Sequence, residues 1–295
     1  MIFGAIEAGG TKMVCALVNE QADVMERVTI PTGTPDETIP KMIAFFENKG
    51  ISALGIGCFG PLDLSRQSDT FGCITYTPKT GWANYPIRKV FAEKLGVPVG
   101  IDTDVNAAVL AEVKYGSAKG CDNAIYITIG TGVGVGVYCN GKLVHGLVHP
   151  EAGHILLARA KGDDFAGVCP FHRDCFEGFA SGPAIETRWG KPAALLSEQH
   201  AVWDMEAYYI AQAICNYILA YSPEKIILWG GVMHQTQLYK MVREKVVQQL
   251  GGYVQHKKIL KEIDSYIVEP GLGDNPGIIG SALLGQQEYD SCQQP

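Results

Sequence analysis

Two short runs of glycine and threonine offer the clearest chemistry in the sequence: Gly9-Gly10-Thr11-Lys12 and Gly130-Thr131-Gly132-Val133-Gly134-Val135-Gly136. Glycine lacks the side chain that would hold a ligand away, so such turns let backbone N–H groups approach phosphate oxygens. Thr11, Lys12 and Thr131 could add hydrogen bonds or charge. Neither run has the Walker spacing or opens a clear helix, which sets P-loop and Rossmann readings aside. One such turn alone is as readily an ordinary tight turn; a matched pair in corresponding places points to a nucleotide. Asp104 follows an apolar run and precedes a helical one, the position where open α/β sheets gather ligands. It could accept the proton of an attacking hydroxyl in phosphoryl transfer. An aspartate at such a boundary also caps helices, and Asp102 could take the same role, so the residues alone leave the choice open.

A histidine and a Cys-x2-His-x2-Cys cluster, His154, Cys169, His172 and Cys175, supply four ligands suited to tetrahedral zinc. No position is left for water, so the site is expected to be structural; a set centred on His149 is the alternative, farther from the cysteines. Zinc would order the loop carrying Glu151 and Glu177, two carboxylates suited to gripping sugar hydroxyls or, singly, to a solvated surface. Gly230-Gly231 ends an apolar strand, where a backbone can pass beneath an adenine ring or simply turn into the next helix.

The elements that must position these groups follow from periodicity. Strands are expected at residues 2–6, 13–18, 53–58, 97–101, 124–129 and 225–229, with a strand pair within 137–144 and a last strand at 266–268. Helices are expected at 36–49, 106–115, 204–221, 238–250 and 277–287. Each half opens with a strand, a glycine turn and a returning strand, which reads as a duplicated domain. Between the halves' regular parts, residues 145–182 form a long irregular stretch of the kind that carries function.

With 295 residues, 47% of them hydrophobic, the chain suits two domains. A net charge of −7 with scattered Lys and Arg excludes a nucleic-acid footprint. No signal peptide or membrane span is expected. Nine cysteines, most of them single within apolar stretches, suit a reduced cytoplasmic protein.

Together these motifs resemble the ROK family of sugar kinases, which implies an α/β, actin-like ATPase (ribonuclease H-like) fold. Ile6-Glu7-Ala8-Gly9-Gly10-Thr11-Lys12 is similar to the family's first phosphate motif and Gly130-Thr131-Gly132-Val133-Gly134 to its second. Gly60-Pro61-Leu62-Asp63 resembles a sugar-side loop. Asp104-Val105-Asn106-Ala107 resembles the segment of the catalytic aspartate, which implies Asp104 as the base and Asn106 beside the sugar. His149-Pro150-Glu151-Ala152-Gly153-His154 and Cys175-Phe176-Glu177 resemble the sugar and zinc motifs, implying sugar contacts from Glu151, His154 and Glu177. Ser181-Gly182-Pro183 and Trp229-Gly230-Gly231 fall where the family lines its nucleotide pocket. Two departures stand out: Glu7 replaces the usual Asp, so a longer carboxylate must reach Mg²⁺, and His172 replaces a thiolate in the zinc cluster. Both resemble the fructokinase branch.

The resemblance implies two duplicated domains with a cleft between them: residues 1–116 with a closing helix 275–290, and residues 117–274 with the zinc loop. It implies ATP, Mg²⁺ and Zn²⁺ as cofactors, D-fructose as substrate and a homodimer; glucose, mannose and N-acetylhexosamine are the alternative sugars. ROK relatives also include sugar-sensing repressors with an added helix-turn-helix. Met1 leading straight into the first strand argues against that here, and a filament-forming ATPase would leave the cysteine loop and the Asp104 segment without a purpose.

Overall fold

The computed structural model describes residues 1–77, 79–198 and 201–293. The chain divides into two compact units: unit 1 comprises Met1–Gly116, Leu143–Pro150 and Leu272–Pro295, and unit 2 comprises Ser117–Lys142 and Glu151–Gly271. The short segment Leu143–Pro150 therefore groups with unit 1, although the sequence-based boundary assigned all of 117–274 to the second domain.

In unit 1 the chain forms β1 (Ile2–Ala8), β2 (Lys12–Asn19), β3 (Val24–Pro31), α1 (Pro35–Phe46), β4 (Ala53–Cys58), α2 (Ile87–Leu95), β5 (Val99–Thr103) and α3 (Asp104–Tyr115). Unit 2 holds β6 (Ala124–Ile129), β7 (Val133–Cys139), β8 (Lys142–Leu143, at the boundary), α4 (Phe176–Ala180), α5 (Gly182–Trp189), α6 (Val202–Tyr221), β9 (Lys225–Trp229), α7 (Gln237–Leu250), the short α8 (Lys257–Leu260) and α9 (Ile263–Tyr266), and β10 (Ile267–Val268). The closing helix α10 (Pro276–Gln293) returns to unit 1.

The first sheet has the order β3-β2-β1-β4-β5 and the second β10-β9-β6-β7-β8. Each first strand pairs antiparallel with the strand returning from its glycine turn and parallel with the next one. Read from its returning-strand edge, the second sheet thus repeats the order of the first, as a duplicated domain requires.

Strand β1 is buried on both faces, because alternate side chains point to opposite sides of a sheet. Ile6 and Ala8 join Ile39, Met42 and Phe46 of α1 and Phe91 of α2, while Phe3 and Ala5 join Ile278 and Ala282 of α10. Helix α10 lies so close to the sheet that a side chain at Gly55 would overlap the Ser281 carbonyl. Helix α1 starts at a capping box of Thr34 and Glu37 with Pro35 in its first turn, which satisfies backbone N–H groups that the helix leaves exposed.

Several elements differ from the sequence expectation. Residues 133–136 are strand rather than turn: the Val-Gly alternation has a period of two, and Val133, Val135 and Val137 are buried. The turn proper is only Gly130-Thr131-Gly132. Strand β3 and helix α2 had no counterpart in the reading of periodicity; β3 is a largely exposed edge strand whose apolar residues do not alternate strictly with polar ones. Helix α1 stops at Phe46 rather than 49, because Asn48 adopts a left-handed conformation. Strand β5 runs to Thr103, and α3 begins at Asp104 rather than 106.

Candidate active site

Unit 1 places its chemistry at the carboxyl ends of its parallel strands. In the turn after β1, the carbonyls of four consecutive residues are all occupied. Gly9 O accepts from Thr32 Oγ1 (2.9 Å), Gly10 O from Lys79 Nζ (2.6 Å), Thr11 O from Thr32 N (3.1 Å), and Lys12 O from Gly9 N (3.0 Å). Among the described residues the amides of Gly10 and Thr11 have no acceptor. A turn with spent carbonyls and open N–H groups is an anion-binding concavity. Thr11 and Lys12 are exposed at its rim. Glu7, near the turn-facing end of β1, has its carboxyl raised by burial, against the lowering influence of Lys12 and Arg27 and with Asp274 adding to the rise.

At the end of β5 the two candidate aspartates separate. Asp102 is buried; its Oδ1 accepts from Thr103 N (2.7 Å) and Asn106 Nδ2 (2.8 Å), and its Oδ2 meets His145 Nε2 at 2.7 Å. Both oxygens are thus committed to holding the strand end. The hydrogen bond that His145 donates to Asp102 raises the imidazole above its ordinary value. Helix α3 is capped by Thr103, whose Oγ1 accepts from Asn106 N at 3.1 Å, so capping is not the role of Asp104. Asp104 is half-buried as the first helical residue, its Oδ1 accepting from Val105 N at 2.9 Å, and its charge adds to the rise of the buried Cys58 thiol at the end of β4. Asn106, expected beside the sugar, is buried and its amide braces Asp102.

The loop after β4 carries Gly60 and Pro61, joined by a cis peptide bond. Leu62 N donates to His149 Nε2 (3.0 Å), and burial lowers the His149 imidazole, so the neutral ring accepts this bond. Asp63 accepts from Ser65 N, Ser68 Oγ and Thr70 Oγ1, which hold its carboxyl below the usual range. The loop's polar residues therefore serve largely to shape it.

In unit 2 the second turn is built on the same plan. Gly130 N donates to Gly132 O (2.9 Å) and Gly182 N to Gly130 O (2.7 Å), which seats the start of α5, with Ser181 as its cap and Pro183 in its first turn, against the turn. Gly230 has φ 104°, and a side chain there would overlap the backbone of Ile129. Gly130, Thr131, Gly132, Pro183, Gly230 and Gly231 thus converge within unit 2. The side chain laid against this turn is acidic: Val133 N donates to Glu177 Oε2 at 3.0 Å, and the space that a Gly132 side chain would take is filled by the same carboxylate. Glu151 lies near it. Burial, then the Glu177 charge, raise the Glu151 carboxyl to about 7, although its edge is open to solvent.

His154, Cys169, His172 and Cys175 come together as expected, their ligand atoms within 4.8 Å of one another. Cys169 Sγ stands 3.7 Å from Nδ1 of both His154 and His172, and Cys175 Sγ 3.5 Å from His154 Nδ1. Tetrahedral zinc with bonds of about 2.0 to 2.3 Å separates its ligands by about 3.5 Å, so this set fits the ion. The knuckle is held by paired hydrogen bonds between Cys169 and Arg173 and by Arg173 in a left-handed conformation. His149 is not in this group; its Nε2 accepts from Leu62 N.

The sequence reading missed two groups that touch the turns or strand ends: Lys79 on Gly10 and His145 on Asp102. Both come from segments without regular periodicity, and no spacing rule ties a lysine in such a loop to a carbonyl 69 residues away.

Duplicated sheets of this order, each with a glycine turn after its first strand, define a two-unit α/β fold, and the ROK family profile matches residues 3–288: the chain belongs to the ROK family. A protein of Bacillus subtilis (strain 168) is 50% identical over 286 residues, spanning 97% of this chain and 96% of its own length. The fructokinase of Pediococcus pentosaceus is 44% identical over 286 residues, 97% of this chain and 98% of its own. Among solved structures, the ROK hexokinase of Thermus thermophilus superposes with a TM-score of 0.78 over 99% of this chain and 100% of its own at 24% identity, which establishes the actin-like ATPase fold.

Proposed function

We propose that the protein transfers the γ-phosphoryl group of ATP to D-fructose, giving D-fructose 6-phosphate and ADP. The single observation that carries the transfer chemistry is the end of β5. Asp102 has both oxygens committed, Thr103 does the capping, and Asp104 stands at the strand end where a base is needed. Asp104 takes the proton of the 6-hydroxyl as its oxygen attacks phosphorus in line. The open amides of Gly10 and Thr11 receive phosphate oxygens, with Lys12 adding charge. Thr131 and Gly132 of the second turn, with Pro183, Gly230 and Gly231, serve the nucleotide. Glu151, His154 and Glu177 grip sugar hydroxyls, and the Gly60-Pro61 loop borders the sugar. The choice of fructose rests on the full-length likeness to fructokinases such as that of Pediococcus pentosaceus.

Mg²⁺ enters with ATP, and Glu7 is the carboxylate that would hold it, directly or through water; the ion neutralises charge on the phosphates. Zn²⁺ would be held by His154, Cys169, His172 and Cys175 and would order the loop leading to Glu177. The resemblance to the family supports a homodimer. All nine cysteines are free thiols, which suits a cytoplasmic setting, and no described helix is long and apolar enough to cross a membrane. Coupled ADP release measured over fructose, glucose, mannose and N-acetylhexosamines tests the reading. The highest kcat/KM is expected with fructose; a higher value with another hexose would reassign the substrate, and no sugar-dependent release would overturn the kinase reading.

A further inference from the structure

The turn after β1 does not become anion-selective through its own sequence alone. Gly10 O would otherwise present a partial negative charge beside the two open amides, and Lys79 Nζ covers that oxygen at 2.6 Å. A side chain at Gly10 would stand 2.8 Å from Nζ and 2.9 Å from Cε of Lys79, so it would push the ammonium off this seat. The lysine is positioned from its own loop. Lys79 N meets Thr77 Oγ1 at 3.4 Å, and the ammonium lies 5.6 Å from the centre of the Phe59 ring. The buried Trp82 donates from its indole N–H to Gly33 O at 2.8 Å, which anchors the loop three residues on. Lys79 also lines a cavity of about 330 Å³ shared with Gly10, Thr32, Thr34, Glu37 and Trp82, in which the Glu37 carboxylate accepts from Thr34 N at 3.0 Å. Among the described residues the hydrogen bond of the Lys79 ammonium goes to the Gly10 carbonyl and not to a carboxylate. An ammonium carries three N–H donors; one is used on Gly10 O, and the others remain for a ligand.

We propose that Lys79 is a catalytic cation of the phosphoryl transfer, donating to oxygens of the γ-phosphoryl group while its remaining N–H holds the Gly10 carbonyl. This rests on the kinase reading above and adds a residue to it. In the step, the sugar 6-oxygen bonds to the γ-phosphorus as the bond from that phosphorus to the bridging oxygen breaks. The hydroxyl proton passes to Asp104, ADP leaves with the electron pair of the broken bond, and Lys79 keeps its proton throughout. Negative charge spread over the equatorial oxygens of the transferring group is what a fixed ammonium stabilises.

The test compares ADP and AMPPNP binding by titration calorimetry with steady-state kinetics, in wild type, Lys79→Ala and Lys79→Arg, each checked for an unchanged melting transition. Removing one positioned donor to developing charge typically lowers kcat by about 10²- to 10³-fold. Lys79→Ala is expected to show that loss, to keep its ADP affinity within about threefold, and to lose any preference for the triphosphate analogue over ADP; Lys79→Arg keeps part of both. If Lys79→Ala weakens ADP and AMPPNP equally, or retains wild-type kcat, Lys79 merely clamps the turn and the inference is overturned while the kinase reading stands. If Lys79→Ala does not fold, the decision passes to Lys79→Arg, where a kept or partly kept AMPPNP preference supports the inference and an equal loss for both nucleotides overturns it. If wild type binds neither nucleotide, both fall together.

Discussion

The two glycine turns occupy equivalent places in two sheets of the same strand order, yet opposite charges lie across them. In unit 1 the ammonium of Lys79 covers Gly10 O; in unit 2 the carboxylate of Glu177 takes Val133 N and fills the space beside Gly132. A duplicated backbone therefore fixes where a ligand can approach, and loop residues outside the repeat decide which charge it meets. The same division recurs at the strand ends. Unit 1 carries the aspartates at the end of β5, and unit 2 carries the neighbouring carboxylates Glu151 and Glu177 with the cysteine and histidine loop. Substitution of Asp104 in unit 1 should fall on kcat, and substitution of Glu151, Glu177 or the cysteines in unit 2 on sugar KM and metal content.

The largest effect is expected at Asp104. Asp104→Asn should lower kcat by about 10²- to 10⁴-fold, the usual worth of a positioned base, with fructose binding by calorimetry nearly unchanged. A variant that lost sugar affinity but kept kcat would move Asp104 to the gripping role and blur the contrast between the units. In unit 2, Cys169→Ser with Cys175→Ser should take metal content from about one zinc per chain to none, by elemental analysis of purified protein, and should raise the KM for fructose more than it lowers kcat. Full activity in wild-type protein free of metal would contradict that assignment.

A smaller effect should follow pH. Burial and the Glu177 charge place the Glu151 carboxyl at about 7, so acidification protonates it in the folded protein well before it would in the unfolded chain. A gripping carboxylate works only when ionised; the KM for fructose should therefore rise as pH falls from 8 to 6, and Glu151→Gln should abolish that slope. The smallest effect belongs to the pair of His145 and Asp102. The imidazole is raised in the folded state, so the coupling is complete below its ordinary value near 6.5 and is lost as pH rises through the raised one. Solvent reaches 40% of the His145 side chain, which should hold the coupling measured by a double-mutant cycle under about 1 kcal/mol.

Much of this was legible in the sequence, and the rest was hidden for identifiable reasons. Strands β4, β6 and β9 match the periodic reading residue for residue, because short apolar runs bounded by glycine have few alternatives. The cysteine and histidine cluster was legible because metal geometry constrains spacing. Residues 133–136 misled, since glycine suggests turns while the alternation with valine is a strand's. The choice between Asp102 and Asp104 needed the hydrogen bonds of Asn106, four residues on, and of His145, 43 residues on, and neither follows from the apolar pattern. Lys79 could not be found at all from local pattern: its importance lies in one contact across the fold.

The most direct measurement follows ADP and sugar phosphate together by ³¹P NMR as wild-type protein consumes ATP and fructose. One fructose 6-phosphate is expected for each ADP, with no phosphate at another hydroxyl. ADP accompanied by free inorganic phosphate, or a product phosphorylated elsewhere on the sugar, would contradict the account.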